Sequence, residues 1–167
     1  MSFLVAVSIV LAVLGSIFWI MPSPAERKKM MLRNIAIQKG FEVRYVYDTD
    51  KDLSGEEQYI AYSISAEKLG LAKSRPFELK LLSDAAGPGG WKVVLSIDID
   101  SDQSSVLAHQ LSNYASHIAK LTLSQSRLTF YWQERADKDV LEALIDDVVS
   151  HWGALIADRR VSEQPRA

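Results

Sequence analysis

The sequence predicts an α+β fold: an N-terminal transmembrane helix, then one soluble domain with a four- or five-stranded, mostly antiparallel sheet and helices on one face. Three observations carry this. Phe3 to Met21 contains no charged residue. Several later segments alternate apolar and polar residues with period two, as half-buried strands do. Two others repeat apolar residues at helical spacing.

The uncharged run comes first. As a helix it would reach about 28 Å, close to the hydrocarbon thickness of a bilayer. The run is rich in Val, Leu, Ile and Phe, and these outweigh Ser8 and Ser16 in transfer energy. No Lys or Arg precedes it, whereas Arg27, Lys28, Lys29 and Arg33 follow. The positive-inside rule then places the N-terminus outside and residues 22–167 in the cytoplasm of a bacterial inner membrane. Ser23-Pro24-Ala25 has small residues at a cleavage-like interval, but the basic cluster beyond it argues for an uncleaved span. Ser8, Ala12 and Ser16 recur every four residues with Gly15 beside them, a seam on which a second membrane helix could pack closely.

Ser23-Pro24-Ala25-Glu26 combines an N-cap, a proline at the first helical position and a capping-box acid, and Gly40 supplies the stop. The helix between them carries Met31, Leu32, Ile35 and Ala36 as its apolar stripe. Its Arg27, Lys28, Lys29 and Arg33 read as topology signals facing lipid headgroups. After Gly40 come strands at Phe41–Tyr47, Tyr59–Ile64 and Phe77–Leu81. A Gly/Pro-rich turn at Ser83–Gly90 leads to the most regular strand, in which Trp91, Val93, Leu95, Ile97 and Ile99 share one buried face. Leu107, Leu111, Tyr114, Ile118 and Leu121 keep helical spacing over Ser104–Lys120. A strand follows at Leu128–Trp132, then an amphipathic helix over Asp137–Asp158. The organisation expected is an anchor at 1–22, a basic juxtamembrane helix at 23–40, a soluble domain at 41–160 and a loose tail at 161–167.

Composition narrows the chemistry. The 167 residues include no cysteine, which excludes disulfides, thiolate metal sites and cysteine nucleophiles. The net charge is −2, with the basic excess confined to residues 22–40 and the acidic excess beyond. Nucleic acid is therefore a poor partner. Asp48, Asp50 and Asp52, followed by Glu56 and Glu57, resemble the start of a calcium loop. Leu53 and Tyr59, however, occupy positions where that loop needs Gly and Glu. Asp98, Asp100 and Asp102 fall on the wet side of a strand and at a helix cap. His109, His117 and His151 show no metal-ligand spacing, and no nucleophile elbow, phosphate loop or dinucleotide fingerprint is present.

The N-terminal layout is similar to the small single-span accessory subunit of the bacterial preprotein translocase. The features that carry the similarity are the span, Pro22 at its exit, Arg27-Lys28-Lys29, and Lys39-Gly40-x-x-Val43. That family has an Arg-Pro-Gln type exit where this chain has Met21-Pro22-Ser23, and a much shorter soluble part. The function expected is a noncatalytic, membrane-anchored interaction or assembly module. Its partners would be membrane lipid and another membrane protein, or a second copy through the span, and it would carry no cofactor. The alternative is an anchored enzyme or divalent-metal-responsive domain using Asp48–Glu57.

Overall fold

The computed structural model describes residues 2–20, 22–46, 59–71 and 76–161. The chain divides into two compact units, Met1–Met31 and Leu32–Ala167.

The first unit holds helix α1, Ser2–Ile20, and the start of helix α2, Pro24–Gln38. The capping box forms: the Glu26 amide donates to Ser23 Oγ at 3.2 Å, and the Ser23 amide donates to Glu26 Oε2 at 2.7 Å. Among the described residues no helix is long and apolar enough to cross a membrane. This overturns the predicted transmembrane anchor, and with it the bitopic topology and the inner-membrane placement.

Among the described residues the second unit is α+β, with six antiparallel strands rather than four or five. They are β1 (Glu42–Val46), β2 (Tyr59–Ser65), β3 (Glu78–Ser83), β4 (Trp91–Ile97), β5 (Ile118–Ser124) and β6 (Arg127–Trp132), in the spatial order β1-β2-β6-β5-β3-β4. Helix α3 spans Ser101–Gln110 and helix α4 spans Lys138–Val161. α2 ends in a tight cap: Gly40, at φ +89°, donates to Ile37 O, and the Phe41 amide donates to Ala36 O.

The extra strand is β5. Ile118 and Leu121 continue the helical spacing of Leu107 and Leu111, yet the helix stops at Gln110 and the chain turns through Ser112–Tyr114 into a strand. All of these residues are buried, so burial alone produced the false period.

Register gives each face of the sheet its composition. Val43, Tyr62, Phe130, Leu121, Leu81 and Val93 lie directly opposite one another across all six strands. Leu32 and Ala36 of α2, Leu107 of α3, and Leu141, Leu144, Val148 and Trp152 of α4 join this face in one buried cluster. Tyr62 stacks on Phe130 with ring centroids 5.2 Å apart, and Trp132 meets Tyr62 edge-on at 5.5 Å.

The single buried face expected of β4 does not form. Lys80 pairs with Leu95 but Leu81 pairs with Val93, so Val94 is an extra residue in the ladder. This bulge reverses the side-chain phase. Trp91 and Val93 stay on the helix side, while Leu95 and Ile97 pass to the other face. Leu95 is 36% exposed and Ile97 47%.

Candidate functional site

Two polar arrangements stand out, and they differ in what they can do. The first is internal. Glu134, just after β6, is buried and sits at φ +56°, a conformation costly for a residue with a Cβ. Its carboxylate accepts from Arg33 Nε at 2.7 Å, from a second Arg33 nitrogen at 2.5 Å, and from Tyr62 Oη at 2.6 Å. Arg33 also donates to Tyr45 Oη, and its guanidinium lies 5.0 Å from the centre of that ring. Hydrogen bonding to Glu134 pushes the Arg33 pKa further up. Burial, and then the bond to Glu134, raises that of Tyr62. Each charged group here is satisfied by another, so the cluster clamps α2 to the sheet and engages both Glu134 oxygens internally.

The second arrangement lies on the sheet face opposite the helices. Glu42, Ser63, Thr129, Thr122, Lys80 and Leu95 oppose one another across the six strands. Two residues along, Arg44, Ala61, Tyr131, Lys120, Leu82 and Lys92 form a second row. In the first row small side chains occupy β2, β6 and β5. Ser63 Oγ and Thr129 Oγ1 are 3.0 Å apart and hydrogen-bonded. Ser63 and Thr129 are only 7% and 9% exposed. They therefore form the floor of a trough.

Two clefts make up this trough. One, of about 520 Å³, is lined by Arg44, Ala61, Ser63, Arg127, Thr129 and Tyr131. The other, of about 410 Å³, runs past Thr122 and Ser124 to Phe77 and Ile97. Arg127 and Thr129 line both, so the two are adjacent. No residue of α2, α3 or α4 lines either one.

Glu42 is bonded to Lys68 Nζ at 3.2 Å and to an Arg44 nitrogen at 3.3 Å. Its carboxyl is held below the usual range by Lys68 first, with Arg127 and Arg44 adding to the effect. Lys120, buried, lies 5.1 Å from the Tyr131 ring centre. At the β4 end Lys80 and Glu78 offset each other in charge, and Leu95 and Ile97 provide apolar surface.

The residues singled out by sequence are dispersed. Asp48, Asp50 and Asp52 lie outside the described residues. Among the described residues no group of three or more His, Asp or Glu side chains could hold a metal. Ser8, Ala12 and Gly15 fall on α1, where Ser8 Oγ donates to Leu4 O and a Cβ at Gly15 would meet nothing. The Ser16 side chain is outside the described set. Arg27 donates to Pro22 O, Lys28 is half-buried and Lys29 exposed on α2, while Arg33 binds Glu134. His151 Nδ1 lies 2.6 Å from Asp147 O of its own helix.

The trough residues Arg44, Ser63, Arg127 and Thr129 drew no attention in the sequence. Their one signal was the polar half of each strand's alternation, which marks a wet face but says nothing of its curvature. No protein family, curated protein or solved structure matches the chain.

Proposed function

We propose that the chain is a noncatalytic interaction module that takes a protein partner on the helix-free face of its sheet. The supporting observation is the trough itself, two adjoining clefts floored by Ser63 and Thr129 and open along their length. Small polar side chains at the floor let another backbone approach the sheet, and Leu95 and Ile97 give apolar area at one end. The charged groups with altered titration are engaged with each other rather than aimed at a reacting centre, which argues against catalysis.

A photo-crosslinking amino acid placed at Ile97 or Ser124, which line the trough, and at Asp139, on the exposed side of α4, tests this in living cells. The expected result is the same neighbouring protein captured from both trough positions and not from Asp139. Recovery of the chain alone from every position, or equal capture from Asp139, would overturn it.

A further inference from the structure

Helix α1 presents more apolar surface than a chain in water keeps uncovered. Eight large apolar side chains between Phe3 and Val13 stand 39–78% exposed. At roughly 100 Å² each, they expose on the order of 800 Å². The largest such patch on a protein that stays single is about 300–600 Å². A standard protein interface takes about 800 Å² from each side, so the area is what a stable contact needs.

The arrangement narrows what covers it. At about 100° per residue, Phe3, Val7 and Val10 fall along one line of the helix. They are four and three residues apart, the spacing by which the side chains of two helices interlock. Leu4 and Leu11 flank that line on one side, Ile9 and Val13 on the other. A helix that lies on a lipid surface needs a strongly charged face opposite its apolar one. α1 has no charged residue, and the first in the chain is Glu26. Nor, among the described residues, is any helix long and apolar enough to cross a membrane. A neutral apolar line is complementary to its own copy, because pairing two of them brings no like charges together.

We infer that α1 is an assembly helix, whose Phe3, Val7 and Val10 pack against the same helix of further copies of this chain. The contact uses no residue of the trough, so the assembly carries one trough per copy.

The test is sedimentation of the full-length chain without detergent, from about 1 to 100 µM, since association follows concentration. The parent should sediment as a multiple of the single-chain mass. Val10→Glu sets like charges against each other in the contact and should weaken association at least about a hundredfold. Glutamate is a good helix former, so that loss reports the contact rather than the helix. Ala12→Glu adds the same charge on the side of α1 opposite Phe3 and should associate like the parent. Cooperative melting shows that both variants keep the second unit, whose buried cluster includes no residue of α1.

A single-chain mass throughout the range would overturn the inference. Flotation of that single chain with phosphatidylcholine vesicles would then mark lipid as what covers α1. Association indifferent to Val10→Glu, or weakened equally by Ala12→Glu, would overturn it as well, by removing the line of Phe3, Val7 and Val10 from the contact.

Discussion

Arg33 and Glu134, separated by a hundred residues of chain, meet through two parallel hydrogen bonds in which the carboxylate is almost fully buried and the guanidinium is one-fifth exposed. This pair joins α2 to the turn after β6 and holds Glu134 in its left-handed conformation. Removing one partner leaves the other charged and underpaired, which is where a buried ion pair exerts its largest effect.

The first prediction follows from that asymmetry. Arg33→Met strands the Glu134 carboxylate and should cost about 3 kcal/mol, a fall in Tm of roughly 6–10 °C. The double variant Arg33→Met, Glu134→Leu removes both charges and should recover part of the loss. Thermal melts of the three chains at neutral pH decide it. A double variant no better than the single one would show that the pair is not the source of the cost.

The turn before β4 gives a second prediction. Gly89 sits at φ +60°, and a Cβ there would lie 2.6 Å from the backbone oxygen of Ala108 on α3. Backbone and steric strain therefore act together in Gly89→Ala, for a loss of about 3 kcal/mol. Gly70→Ala is the control, since it shares a positive φ of 66° but meets no atom within 4 Å. It should cost only about 1 kcal/mol. Equal losses in urea titration would mean that α3 does not press on this turn.

Alkaline pH offers a third. Tyr114 Oη donates to Asp147 Oδ2 at 2.5 Å, and burial followed by that bond raises its pKa to about 12. An unfolded tyrosine titrates near pH 10. Between these values the unfolded chain has lost the proton and the folded chain has kept it. The tyrosine's contribution is therefore complete below pH 10 and lost as pH rises to about 12. Tyr114→Phe should lower stability at pH 7 by about 1 kcal/mol. It should also flatten the decline between pH 10 and 12. An unchanged alkaline slope would assign the decline to other groups.

How far the sequence disclosed this fold depends on whether each signal was local. The capping box of α2, its Gly40 stop and the stretch of α4 are written in neighbouring residues, and the structure shows all three. β5 was hidden because Ile118 and Leu121 happened to extend a helical period. Arg33 stood in a basic cluster and read as a headgroup contact, because nothing local announces Glu134. The trough was invisible for a related reason: a wet strand face has the same alternation whether the sheet bulges outward or curves inward.

The bulge at Val94 leads to the last prediction. β4 is an edge strand, and a regular edge rich in Val, Leu and Ile invites pairing with another chain. Val94 interrupts that regularity, and Asp98, at φ +56°, ends the strand just beyond Ile97. Deleting Val94 would bring Val93 next to Leu95. Strict alternation would then hold from Trp91 to Ile97, with Trp91, Val93 and Ser96 on the helix side and Lys92, Leu95 and Ile97 on the trough side. The ladder to β3 would become regular and the free edge straight. The deletion chain should therefore keep its fold, shown by an unchanged far-UV spectrum and a cooperative melt. It should also sediment as larger species than the parent at the same concentration and buffer. Identical sedimentation would mean that the bulge does not protect this edge. Loss of cooperative melting would mean that the core requires it, because the curvature it sets is then needed to seat α3 against Trp91.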